Sequence, residues 1–110
     1  MITVTVRDND FRVVSLEMTG HANYAEHGSD IVCAAVSALV LTTVNSIERL
    51  ASYQPIVEVD EQNGGYLYFE TLTNLTSEQE YITHILLQNL LYGLEDIQEQ
   101  YASYLSISFA

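Results

Sequence analysis

Two periods of apolar spacing divide this chain. At the N-terminus Ile2, Val4 and Val6 recur every second residue, the spacing of a strand with one face turned to a core, and residues 3–6 are predicted as the first strand. Asp8-Asn9-Asp10 follows with turn chemistry, because short Asx side chains hydrogen-bond nearby backbone and tolerate left-handed geometry. Alternation resumes over residues 11–19 through Val14, Leu16 and Met18, so the two runs form a hairpin. Residues 20–29 break the alternation and read as a loop.

The period then changes. Val32, Val36, Leu39, Val40, Ile47 and Leu50 lie on one stripe at helical spacing, predicting a helix from about residue 30 to about residue 52. Asp30 or Ser29 would cap it by accepting a first-turn amide, and Pro55 marks a stop. Residues 56–60 and 66–70 flank Gln62-Asn63-Gly64-Gly65 as a second hairpin. Thr76-Ser77-Glu78-Gln79 has capping-box form and opens a second helix to about residue 100, with Ile82, Ile85, Leu86, Leu90 and Ile97 as its stripe. Gly93 inside that helix signals a tight packing contact or a kink. Leu105, Ile107 and Phe109 alternate in a last short strand. The order ββαββαβ predicts a single α+β domain over residues 1–110, two helices packed on a mainly antiparallel sheet.

Charge narrows the partners. Fifteen Asp and Glu stand against three Arg and no Lys, a net charge of −12. The positive footprint needed to hold a phosphate backbone is missing, which argues against direct nucleic-acid binding. A basic protein partner is electrostatically compatible. The 48% apolar share and the lone Pro exclude a disordered acidic tail. Cys33 is the only cysteine, so neither a disulfide framework nor a multi-thiolate metal site can form within one chain. His21, His27 and His84 show no metal-ligand spacing, and no metal or cofactor is expected. The N-terminus lacks the layout of a signal peptide. The most apolar stretch, residues 31–41, is about half of a membrane span. A cytoplasmic protein that does not engage the membrane is the expectation.

Chemistry concentrates in residues 20–39. If Asp30 caps the helix, Cys33 lies in its first turn, where unpaired amides and the positive end of the dipole favour a thiolate. His21 directly follows a strand at the mouth of the loop leading to that helix, so the loop can bring it to face Cys33. Such a pair supplies nucleophile and base, with the helix-start amides as oxyanion donors. The plainer alternative is that a lone Cys in an Ala/Val-rich helix is a small buried hydrophobe. Asp30 can be a cap, a catalytic acid or both. Ser37, one turn after Cys33, bonds into the site or fills the helix. His27 is a loop residue, a second base or a substrate contact; Tyr24 is a substrate platform or a loop anchor. Gly20 and Gly28 serve backbone geometry or loop movement, and residues 22–29 are a candidate lid. His84, among polar neighbours, reads as solvated.

The segment resembles the signature of the ribosomal-processing cysteine protease (Prp) family. The matching residues are Gly20-His21-Ala22, Tyr24-Ala25, Gly28, Asp30-Ile31-Val32-Cys33-Ala34-Ala35 and Ser37-Ala38-Leu39. The element order is similar across nearly the whole chain, although the downstream half carries no specific motif. The resemblance implies a bacterial cytoplasmic endopeptidase acting as a homodimer, with Cys33 as nucleophile and His21 as general base. Asp30 and Ser37 would support the site. The implied substrate is large-subunit ribosomal protein number twenty-seven, a basic protein made in some bacteria with a short N-terminal extension that the enzyme removes.

Two other readings compete. A non-catalytic acidic module would bind a basic ribosomal or other protein with no dependence on Cys33 or His21. A redox-sensing thiol would oxidise reversibly at Cys33, but the chain offers it no resolving cysteine.

Overall fold

The computed structural model describes residues 1–20, 27–60 and 65–110, with backbone alone for 27–30. Its elements are β1 (Ile2–Asn9), β2 (Arg12–Thr19), α1 (His27–Ala51), β3 (Ile56–Asp60), β4 (Tyr66–Glu70), α2 (Ser77–Gln100) and β5 (Leu105–Phe109). The strands form one sheet in the order β3-β4-β2-β1-β5. β1/β2, β2/β4 and β3/β4 are antiparallel, and β5 runs parallel to β1. The predicted ββαββαβ order and α+β class hold.

Period-two alternation puts one face of this sheet in the core. Ile2, Val4, Val6, Leu16, Met18, Leu67, Phe69 and Leu105 are all buried, and the register places Val4, Met18 and Leu67 in one row and Val6, Leu16 and Phe69 in the next. Both helices cover that face. α1 joins β2 to β3, the two neighbours of β4, so it crosses the β3–β4 half. α2 joins β4 to β5 and packs against β2 and β5 on the other half.

The predicted stripes hold for the most part and fail at one residue in each helix. α1 buries Val32, Val36, Val40, Val44, Ile47 and Ala51, while Leu39 is half-buried against α2 and Leu50 is exposed. α2 buries Thr83, Leu87, Leu90 and Leu94, with Ile82, Leu86 and Ile97 at the margin and Ile85 exposed. Each helix carries apolar residues around more than half of its circumference, so spacing alone does not choose the face. Contact with both the sheet and the other helix decides it. α1 is also longer in apolar sequence than expected: Ile31–Ala51 would cross a bilayer by length and composition, but here its stripe lies on the sheet.

The second helix starts as predicted. Thr76 accepts a hydrogen bond from the Gln79 amide at 3.1 Å, and the Gln79 side chain accepts from the Thr76 amide at 3.0 Å. Gln79 Nε2 also donates to the Ala51 carbonyl at 2.9 Å, tying the start of α2 to the end of α1. Gly93 marks the close approach of the helices: a Cβ there would stand 3.2 Å from Leu39 Cδ1.

The first hairpin turns later than expected. Asp8 and Asn9 belong to β1, after an irregularity in the ladder between Arg7 and Asp8, and the chain reverses at Asp10-Phe11. Both turn residues have positive φ, 52° and 65°, as the tight hairpin turn matching strand twist requires. Asp tolerates this, whereas Phe11 bears the steric cost of left-handed backbone with its ring 92% exposed. Phe11→Gly should therefore stabilise the fold by about 1 kcal/mol, a rise of roughly 4 °C in a thermal melt. An unchanged or lower Tm would mean that the ring has a role the isolated chain does not show.

Candidate active site

Cys33 is half-buried on α1 and packs against the core cluster. Because α1 begins at His27 rather than near Asp30, the expected first-turn placement needs correction. Cys33 lies nearly two turns in, where backbone amides are satisfied within the helix and the dipole has largely decayed. Asp30 is inside the first turn and does not cap the helix from outside it. His27 and Gly28 are helical, not loop residues, so the segment expected as a lid loses its last three positions. His21 and Tyr24 lie outside the described residues, as does any contact between His21 and Cys33.

The chain reaches His21 through a constrained exit. Gly20 follows β2 with φ +83°, and a Cβ on it would sit 2.5 Å from the Met1 carbonyl oxygen. Only glycine fits that conformation and that approach together. Gly20 thus has the backbone role that the sequence allowed it.

Helical geometry orients Cys33. At about 100° per residue, Val32, Val36 and Val40 face the sheet, and Ala35, Leu39 and Ser46 turn toward α2 beside Leu86 and Ile97. Cys33 and Ser37 emerge on the opposite flank, one turn apart, away from α2 and above the β3–β4 half of the sheet. Both are half-buried. Since α1 returns from the end of β2 to the start of β3, Cys33 belongs to the end of the molecule where Thr19, Tyr66 and Asp60 share a row.

Among the described residues, the other face of the sheet bears no helix and is polar. Its rows run Thr3-Thr19-Tyr66-Asp60 and Thr5-Glu17-Tyr68-Glu58. Tyr66 and Tyr68 stack with ring centroids 6.5 Å apart and planes 11° from parallel. The Tyr66 hydroxyl donates to Glu17 at 3.3 Å and the Tyr68 hydroxyl donates to Glu70. Partial desolvation, then the Glu17 carboxylate, pushes the Tyr66 phenol above its ordinary range; for Tyr68 the Glu70 hydrogen bond is the main cause. Both phenols therefore stay neutral donors. Sequence reading did not single out these residues: alternation puts Tyr66, Tyr68 and Glu70 on one face of β4, but only the pairing with β2 brings Glu17 to them.

The larger described cleft, about 830 Å³, is at the far end of the sheet. Arg7, Arg12, Glu80, Thr83 and His84 line it, so His84 faces a cleft as well as solvent. Arg12 and Glu80 approach to 3.6 Å there, a half-exposed pair of little energetic weight. Tyr53, whose hydroxyl lies 2.9 Å from that of Thr83, has its phenol pushed up by burial, partly offset by this hydrogen bond. Among the described residues no group of His, Cys, Asp and Glu has the arrangement of a metal site.

Comparison with known proteins places this architecture. Residues 1–106 match the family model of cysteine protease Prp. The ribosomal processing cysteine protease Prp of Bacillus subtilis (strain 168) is 40% identical over 109 residues, covering 98% of this chain and 96% of that one. A crystal structure of an essential ribosomal processing protease Prp from S. aureus, in complex with a substrate peptide, superimposes with a TM-score of 0.87 at 32% identity. Its counterpart with a covalently linked product peptide gives 0.81 at 34% identity, and in both comparisons each chain is covered completely. With a thiol-bearing helix over this sheet and agreement along nearly its full length, the chain belongs to the Prp family of cysteine proteases.

Proposed function

We propose that this protease cleaves the N-terminal extension from large-subunit ribosomal protein number twenty-seven in the bacterial cytoplasm, with Cys33 as nucleophile and His21 as general base. The observation that carries the reading is the position of Cys33: half-buried on the outer flank of α1, at the end of the sheet where β2 leads into Gly20. The S. aureus relative with a covalently linked product peptide supports covalent catalysis in the family.

Because Cys33 is beyond the reach of the helix start, its activation falls to imidazole. The Cys33 proton passes to His21, and the resulting imidazolium stabilises the thiolate. The thiolate sulfur attacks the scissile carbonyl, the imidazolium protonates the departing amine, and a thioester remains on Cys33. Water deprotonated by His21 then attacks the thioester, releasing the carboxylate and restoring the thiol. Asp30 and Ser37 have supporting roles; Ser37 shares the flank of Cys33 one turn on.

The reading includes a homodimer. Leu41 on α1 and Ile85 and Tyr92 on α2 are exposed on the outward side of the helix layer, supporting an apolar contact between copies. The acidity of the chain suits a basic ribosomal protein as the substrate. Intact-mass spectrometry of the extended ribosomal protein after incubation with this enzyme should show one new N-terminus. An unaltered mass for verified soluble substrate would reject the proposed specificity.

A further inference from the structure

β3 is an edge strand whose five residues are all exposed. It packs chiefly against β4, whereas the opposite edge, β5, lies under α2. One side of β3 is committed to the ladder with β4; the backbone groups on its other side project past the edge of the sheet. Val57 and Val59 extend the apolar helix-side face, 39% and 53% exposed, and Glu58 and Asp60 extend the open polar face beside Tyr68 and Tyr66. Natural proteins blunt such an edge with charged side chains, proline or a covering loop; the charges on β3 are Glu58 and Asp60, which repel a second acidic strand and admit a basic one.

Three observations point this edge at the catalytic thiol. The Asp60 end of β3 shares a row with Tyr66 and Thr19, the residue before Gly20. α1 crosses the β3–β4 half of the sheet, and Cys33 and Ser37 occupy its flank turned away from α2, toward this edge. An added strand would thus run along β3 beneath the flank that carries the thiol.

We infer that the outer edge of β3 is the substrate-docking strand: an extended, basic peptide segment adds to the sheet there and is led to Cys33. The inference rests on the protease reading of Cys33 and names how its substrate is held. Main-chain hydrogen bonds to β3 fix the peptide in extended form, as strand addition does elsewhere. Side chains alternate: those on the helix side meet Val57 and Val59, and those on the open side meet Glu58 and Asp60, where Lys or Arg is favoured. Charge complementarity selects this occupant, since the chain carries −12 overall and β3 itself carries two carboxylates and no cation.

The test uses a synthetic peptide spanning the junction between the N-terminal extension and the mature ribosomal protein. Single N-methyl groups placed along its backbone should reduce kcat/KM about five- to tenfold at every second residue and leave the intervening positions little changed. Hydrogen exchange on Cys33→Ala protein bound to the peptide should slow at β3 and stay unchanged at β5. Glu58→Lys should raise KM about tenfold for a basic peptide with kcat retained. Cleavage without alternation, and with β3 exchange unaltered, would overturn the docking assignment while leaving the protease reading intact. Failure of the wild type to cleave any such peptide would overturn both. Slow exchange at β3 before peptide is added, increasing with protein concentration, would give the edge to a second copy of the chain and also overturn the proposal.

Discussion

Replacing Cys33 with alanine should eliminate peptide cleavage, a loss of at least about 10⁴-fold, with little change in the fold. The side chain is half-buried, so losing one sulfur leaves a small, partly solvated gap worth about 1 kcal/mol. A thermal melt should shift by no more than a few degrees, roughly 4 °C per kcal/mol in a chain of this size. His21→Ala provides the complementary result. It leaves the sulfur in place but should lower kcat by about 10²–10⁴-fold and slow alkylation of Cys33 by iodoacetamide near neutral pH. On the proposed pairing, the pH profile of that alkylation should move toward about 8.5, the range of an ordinary thiol, because the variant has no imidazolium to favour the thiolate. The sign is fixed: a cation beside the thiol lowers its pKa, so reactivity is gained below the ordinary range and lost when the cation is removed. Turnover retained by Cys33→Ala would exclude the thiol mechanism. Alkylation unaffected by His21→Ala would assign activation to another group.

The largest effect on stability should come from Gly20→Ala, a change of one methyl group. At φ +83° a Cβ is sterically disfavoured, and here it would stand 2.5 Å from the Met1 carbonyl oxygen, which is backbone and cannot swing aside. Relief requires moving the start of β1, where Ile2 is fully buried and its amide donates to the Tyr104 carbonyl at 2.9 Å. The expected cost is about 2–4 kcal/mol, or a fall in Tm of roughly 10 °C. Because His21 is the next residue, cleavage should also decline at temperatures where the variant remains folded. A melt indistinguishable from wild type would show that the β2 exit relaxes without disturbing β1.

Several predicted features were local and held. The alternation of Ile2, Val4 and Val6, the helical run after residue 30 and the Thr76–Gln79 capping box all appear where their spacing placed them, since each depends on neighbours a few residues apart. The family motif around His21 and Cys33 was legible for the same reason, and the family match agrees with it. The misreadings also have definite causes. Asp8-Asn9-Asp10 offered generic turn chemistry, but strand pairing carried β1 through Asn9 and left Phe11 to take left-handed backbone. Asp30 is a good cap residue by type, yet the helix begins at His27. The stripes of α1 and α2 were misassigned at Leu50 and Ile85 because both helices are apolar on several sides.

By itself, then, the sequence determined the elements, their order and the motif that carries the family resemblance, all encoded in short-range periodicity and motif spacing. Tertiary structure decided the rest. It selected which helical stripe is buried, set β5 parallel beside β1, brought Glu17 of β2 to the Tyr66 hydroxyl of β4, and left β3 at an edge of the sheet. Those arrangements depend on register and crossover, which join residues distant along the chain. The pattern within any one segment is compatible with more than one such pairing, and only the shared burial of the whole core selects among them.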